Sequence, residues 1–215
     1  MKSWASDVVA GRRTSLLRTV LALLMLGVLV WALPSRRHGE DDHHQHDRGS
    51  HGAAPHARPL DAFERAGITE LREGQHGPPF SLGSLDGGTT TLAELTRDRL
   101  VVLNFWATWC QPCTLEMPTL EALGQHYRER GLTVVGISVD RGAPRDLILP
   151  YVRALKLTFP VLLDPEMKTA RAWRVTGVPA TFVIKPGGEV VGMAVGAREW
   201  DSVEMRALLE PMLPR

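Results

Sequence analysis

The chain has 215 residues, 44% hydrophobic and 23% charged, which suits one globular domain with appendages. Its formal net charge is +1 with both signs well mixed, so the basic patch or stripe of a nucleic-acid binder is missing and no nucleic-acid partner is expected. Only two cysteines occur, Cys110 and Cys113; they cannot make a framework of several disulfides, and a four-cysteine zinc site would need two more thiolates. The pair is either a redox couple or half of a metal site. Redox is the leading reading.

Residues 1–15 read as a cytoplasmic N-terminal tail and residues 16–33 as a transmembrane anchor. Lys2, Arg12, Arg13 and Arg18 precede an uncharged stretch, Thr19–Leu33, of 15 residues. A span needs about 20. Adding Ser15, Leu16 and Leu17, with Arg18 snorkelling to the interface, brings the stretch to 19. The rival is a cleaved signal peptide, whose apolar region of about 7–15 residues precedes a small-x-small site. The exit reads Val30-Trp31-Ala32-Leu33-Pro34, without such a site, and this favours an uncleaved anchor. Basic residues on the N-terminal side hold that end in the cytoplasm and export the rest. On either reading the cysteines face an extracytoplasmic, periplasmic compartment.

Residues 34–77 are rich in Gly, Pro, Asp, Arg and His, and their low apolar content points to a flexible spacer. Within it, Phe63 to Leu71 has the makings of one or two helical turns. Six of the eight histidines cluster in its first part, between residues 38 and 56: His38, His43, His44, His46, His51 and His56. Imidazole suits Cu, Zn and Ni, so a metal-buffering tract is one reading. The other is a solvated polar tether, which the irregular spacing favours.

Residues 78–215 change to alternating strands and helices. Phe80–Leu85, the turn Asp86-Gly87-Gly88 and Thr89–Leu92 read as an N-terminal hairpin. Leu100–Phe105 is a near-continuous apolar run, the mark of a central strand covered on both faces. Pro112 suits the first turn of a helix that runs to about Arg130, ends at Gly131, and carries Pro118 inside it. Leu132–Val139 is the next buried strand. A loop with Pro144 and Pro150 then leads to a helix over Pro150–Leu157, a strand over Phe159–Leu163 and a helix over Glu166–Trp173. Ala180–Ile184 and Glu189–Val195 form a second hairpin, and Asp201-x-x-Glu204 resembles a capping box opening the last helix. This order implies an α/β fold: a mixed central sheet with helices on both faces.

The two cysteines stand where the central strand gives way to the helix, in Trp109-Cys110-Gln111-Pro112-Cys113. A thiolate is the nucleophile of disulfide exchange, and helix N-terminal amides favour it there. Cys110, at the helix end, is expected to be exposed and to attack a substrate disulfide. Cys113, one turn inside, is expected to be buried and to resolve the mixed disulfide. No cofactor beyond the redox-active Cys110–Cys113 disulfide is called for. Trp109 is either a core aromatic or, the preferred reading, a flat apolar wall that shields the sulfurs and receives partners.

Asn104-Phe105-Trp106-Ala107-Thr108-Trp109-Cys110-Gln111-Pro112-Cys113, followed by Glu116, Pro118 and Gly177-Val178-Pro179-Ala180-Thr181-Phe182, resembles the TlpA/ResA-like branch of the thioredoxin superfamily. The resemblance covers residues 78–215 and implies a thioredoxin fold with an N-terminal hairpin and a central insert. It implies a cis Val178-Pro179 bond facing the cysteines, with Val178 pairing to an extended substrate segment. Without the resemblance, a trans proline in a loop is the default.

Asn104 stands where cytoplasmic thioredoxins carry a proton-transferring Asp. Glu116, three residues after Cys113, is the substitute the resemblance suggests; the alternative is a solvated helix carboxylate. The family's activity implies protein thiol and disulfide substrates, such as apocytochrome c or copper-oxidase cysteines, with electrons from a membrane-embedded thiol donor. A metal carrier built on the histidines and the dithiol is one alternative. A thiol peroxidase is another, weakened because Ala107 replaces the Thr expected three residues before a peroxidatic cysteine.

Overall fold

The computed structural model describes residues 60–142 and 144–214. The expected tail (1–15), the anchor (16–33) and the six spacer histidines lie outside these residues. Among the described residues no helix is long and apolar enough to cross a membrane.

β4 (Leu100–Trp106) is the organising strand, and every one of its residues is buried. A strand can bury both faces only if the sheet continues on each side and layers cover it above and below. β4 does both. It runs parallel to β5 (Leu132–Ser138) and antiparallel to β7 (Ala180–Ile184), with Asn104 opposite Gly136 on one side and Thr181 on the other. β6 (Val161–Leu163) extends the parallel side from β5. β8 (Val190–Val195) extends the antiparallel side from β7. β2 (Ser81–Ser84) pairs antiparallel with both β6 and β3 (Thr89–Thr91), and β3 runs into the short helix α2 (Leu92–Leu95). With β1 (Thr69–Glu70) against β8, eight strands line up as β1-β8-β7-β4-β5-β6-β2-β3.

Side chains alternate across β4, so its neighbours sort by face. Phe105 meets Trp173 at 6.1 Å and Phe182 at 5.9 Å, and Trp173 also meets Phe182 at 4.9 Å and Phe80 at 6.4 Å. Trp173 closes α5 (Lys168–Ala172), and its indole donates to the Pro78 carbonyl at 3.0 Å. On the opposite face Asn104 and Trp106 look toward α3 (Gln111–Tyr127) and α4 (Pro144–Ala154). Trp106 stacks on Tyr151 at 5.0 Å, and the Tyr151 hydroxyl donates to Thr114 Oγ1 at 2.8 Å, joining α4 to α3. A 3-10 turn (Arg128–Arg130) ends α3, and Gly131, at φ 84°, takes the left-handed conformation that lets the chain turn back into β5.

The structure moves several sequence-based boundaries. The spacer does not extend to residue 77. α1 (Ala62–Ala66) is closed by a reciprocal Asp61–Glu64 capping box and ends at Gly67, and Ile68 then packs into the core ahead of β1. Leu71 N–H continues that pairing to the Val191 carbonyl at 2.9 Å. A few apolar residues (Phe63, Ala66, Ile68, Leu71) do this work, and averaging over a long polar window conceals them. α4 begins at Pro144, with Pro150 inside it rather than at its start. The missing Pro150 N–H costs one bond to the Asp146 carbonyl, while Ile148 is fully buried and secures the helix. α6 (Val203–Leu209) is capped by Ser202, whose Oγ accepts from Met205 N–H at 3.2 Å. Asp201 instead forms an ion pair with Arg206 at 2.7 Å. β6 and α5 are shorter than their apolar patterns suggest, the usual uncertainty at element ends.

Gly192 of β8 faces the α1–β1 segment so closely that a Cβ would lie 2.7 Å from Ile68 Cγ2 and 3.1 Å from Phe63 Cε1. Gly192→Ala is therefore expected to cost about 1–3 kcal/mol through overpacking. The segment 60–71 should then be cut faster in limited proteolysis than the rest of the domain.

Candidate active site

The β4–α3 connection carries the cysteines, and a buried carboxylate pins it. Thr108 donates its backbone N–H to Asp140 Oδ2 at 3.0 Å and its hydroxyl to Oδ1 at 2.7 Å. Ser138 Oγ donates to Asp140 Oδ2 at 2.8 Å. Asp140 follows β5, which lies beside β4, so the ends of the two central strands are tied where the motif begins. Nothing in the motif pointed to Asp140; its position just past a buried strand was the available signal.

Cys110 is the N-cap of α3 and Gln111 its first residue. The two cysteines form a disulfide with Cα atoms 5.3 Å apart. The Cys113 backbone N–H donates to Cys110 Sγ at 3.3 Å, so the helix end presents a donor to the sulfur on which negative charge develops when the pair is reduced. Cys113 is fully buried, as its place one turn inside requires. The expectation that Cys110 is exposed needs correcting: it is only 4% exposed. The Val178 carbonyl oxygen lies 3.6 Å from Cys110 Sγ, within reach of a thiol donor once the disulfide is opened. This neighbouring loop, together with its N-cap position, covers most of the sulfur.

Trp109 is not a core aromatic, since it is 70% exposed. Val178 is half-buried and Pro179 buried, and the peptide bond between them is cis. Pro179 C=O accepts from Gly196 N–H at 2.9 Å, and exposed Val195 pairs with Ala180 at the start of β7. The structure thus brings Trp109, Cys110 and Val178 to one edge of the domain, although they arrive from two distant stretches of chain.

Glu116 is 1% exposed, which excludes the solvated helix carboxylate. Its Oε1 accepts from Asn104 Nδ2 at 2.8 Å, and the same amide donates to Thr181 Oγ1 at 2.8 Å. Its Oε2 accepts from Arg198 N–H and from Trp200 Nε1–H, each at 3.0 Å. Desolvation by burial pushes the Glu116 carboxyl above its ordinary range. The bonds from Trp200, Arg198 and Asn104, with the Arg198 charge, pull it partly back. Trp200 and Arg198 had no signal in the sequence, standing more than eighty residues from Glu116. Among the described residues no group of three or more His, Cys, Asp or Glu is placed to hold a metal ion.

Comparison with known proteins agrees with this geometry. The AhpC/TSA family pattern matches residues 74–193. The thiol-disulfide oxidoreductase ResA of Bacillus subtilis (strain 168) is 33% identical over 131 residues, 61% of this chain and 72% of that protein. ResA of Oceanobacillus iheyensis is 34% identical over 137 residues, 62% of this chain and 70% of that protein. The chain belongs to the ResA-like thioredoxin-fold family. The crystal structure of a thiol:disulfide interchange protein from Chlorobium tepidum TLS superposes with a TM-score of 0.54 at 31% identity, covering 64% of this chain and 99% of that one. With its Cys110–Cys113 pair in the C-x-x-C arrangement, this member of the family is a thiol–disulfide oxidoreductase, and its substrates are protein thiols and disulfides.

Two outcomes follow for these carboxylates. Asp140→Ala leaves the Thr108 donors without their acceptor and is expected to lower stability by about 1–3 kcal/mol in chemical denaturation. For Glu116 the folded carboxyl titrates above the unfolded one, so between those two values the folded state binds more protons. Its contribution to stability is then present at low pH and lost as pH rises through the folded value. In a series of melts from acid to neutral pH, Glu116→Gln should remove that downward slope.

Proposed function

We propose that this oxidoreductase works as a dithiol reductase of particular protein disulfides on the extracytoplasmic side of a membrane. The observation that carries this reading is the pairing of Cys110 and Cys113 at the α3 N-terminus with a buried, hydrogen-bonded Glu116 on the same helix.

In the reduced enzyme Cys110 is the attacking thiolate, helped by the Cys113 N–H that faces its sulfur. It displaces one sulfur of the substrate disulfide and forms a mixed disulfide, and the displaced thiolate takes up a proton. Cys113, freed of its proton, then attacks Cys110 Sγ. The mixed disulfide breaks and the substrate leaves with both sulfurs reduced, while the enzyme is left with the Cys110–Cys113 disulfide. Two electrons pass from enzyme to substrate, and a membrane-embedded thiol donor restores them. Glu116 is the group assigned to receive the Cys113 proton. A carboxyl titrating above its ordinary range is closer to the thiol it must exchange with.

Trp109 and Val178 supply the docking face: an exposed indole on one side of Cys110 and a free backbone edge on the other, able to pair with an extended substrate segment. The uncharged Gln111-Pro112 pair between the cysteines supports a reductant rather than an oxidant. The apolar stretch at 16–33, with basic residues before it, supports the membrane-tethered placement. By the family resemblance, the substrates proposed are haem-binding cysteines of apocytochrome c or copper-site cysteines of an oxidase.

Cys113→Ala should accumulate substrates as mixed disulfides on Cys110, identifiable by mass spectrometry; adducts confined to Cys113 in the converse variant would reverse the two roles. The reduction potential separates the directions of electron flow. A value near about −120 mV, that of strong oxidants, would make the protein an oxidant instead.

A further inference from the structure

All three hydrogen-bond partners of the Glu116 carboxylate donate to it, and two of them, the Arg198 backbone and the Trp200 side chain, come from the loop between β8 and α6. Trp200 is fully buried, yet it is more than a filler of volume. Its indole N–H reaches Glu116 Oε2 at 3.0 Å, and its backbone N–H donates to Thr119 Oγ1, also at 3.0 Å. The Thr119 hydroxyl in turn donates to the Glu116 carbonyl oxygen at 2.9 Å. Trp200 is therefore fastened at two points to a single turn of α3. Two residues earlier, the Arg198 amide donates to the same Oε2, and the Arg198 side chain is held by the Gly67 carbonyl at 3.1 Å.

The geometry points to Trp200 as a positioning residue that clamps the ionised Glu116 carboxylate, so that the β8–α6 loop sets how this group handles a proton. The inference rests on the reading of Glu116 as the proton-handling partner of Cys113 and names what controls it. An indole at this place does what Phe or Leu of similar bulk cannot, since it gives Oε2 a second donor beside the Arg198 N–H, and each donor to a buried carboxylate favours its charged form. The groups facing Glu116 are few in kind. Asn104 and Thr181 from β4 and β7 are neutral, Cys113 on its own helix is tied in the disulfide, and Arg198 brings the guanidinium charge from the loop. Loss of the indole donor is therefore not offset by a rearranged charge on the same oxygen.

The test is a carbon-13 titration of the Glu116 side-chain carboxyl in the full chain held in detergent, assigned by the signal missing from Glu116→Gln. Two replacements are compared with the wild type: Trp200→Phe, and Trp200 replaced by 3-benzothienylalanine, which keeps the indole's shape and lacks its N–H. One hydrogen bond to a charged group corresponds to an upward move of the midpoint by about one pH unit or more. Both replacements should show it, and the pH profile of Cys113 alkylation should move the same way. An unmoved midpoint in a benzothienylalanine protein that melts like wild type overturns the clamp. If the midpoint moves but Glu116→Gln leaves the alkylation profile unchanged, the clamp stands and the proton-transfer role of Glu116 falls.

Discussion

A carboxylate placed inside a protein must either lose its charge or find donors for its oxygens, and at Glu116 four parts of the chain meet to provide them. β4 contributes Asn104, and α3 carries Glu116 itself. β7 supplies Thr181, which fixes the Asn104 amide, and the loop after β8 supplies Arg198 N–H and Trp200. β4 and α3 are consecutive, but β7 and the loop after β8 come from far along the chain, so the full set of hydrogen bonds forms only when the sheet has its native order. The β4–β7 pairing puts Asn104 opposite Thr181, and β8 must lie next to β7 for its outgoing loop to return across α3. The active-site helix is thus registered on the sheet by polar contacts whose partial loss would leave a charge stranded.

The cysteines need a second constraint, since a helix end alone does not decide where a sulfur points. Asp140 supplies it from the end of β5, holding Thr108 by backbone and side chain just before Trp109 and Cys110. With the loop fixed, Cys110 can be nearly buried and still stand at the domain's edge, between the exposed Trp109 ring and the Val178 carbonyl. Low exposure of the first cysteine suits a protein that meets chosen partners. On the docking proposed above, a partner brings an extended segment to Val178 before its disulfide reaches the sulfur.

What the sequence revealed depended on how local each signal was. β4 was legible because an apolar run bounded by polar residues has one good explanation, and the cysteine spacing carried its own chemistry. Glu116 was legible as a candidate from its spacing to Cys113, but its burial was not, because the residues that cover it come from elsewhere. Trp200 was invisible for that reason, and Asp140 had only its place after a buried strand to mark it. Their roles exist only between elements, and a lone Trp or Asp looks the same whatever it touches. The short elements failed differently. α1 and β1 together hold too few apolar residues to stand out from the polar tract before them. The Ser202 cap lies one residue beyond the pattern that suggested Asp201, because Asp201 is taken by Arg206.

Asn104 and Glu116 look in sequence like two separate departures from a general thioredoxin, an acid lost from the strand and one gained on the helix. Their geometry makes them one. Asn104 Nδ2 is 2.8 Å from Glu116 Oε1, so an Asp at 104 would set two carboxylates against each other in a buried site. One of them would have to hold a proton at neutral pH. An amide avoids this by donating to the carboxylate, with its own orientation fixed by Thr181. Moving the acid from β4 to α3 therefore requires a neutral donor at the vacated place, and it brings the carboxylate within reach of the β8–α6 loop. That loop leaves β8, which pairs with β7 and β1 and not with β4. An acid carried on the helix is thus held by the central strand through Asn104 and by a loop through Arg198 and Trp200.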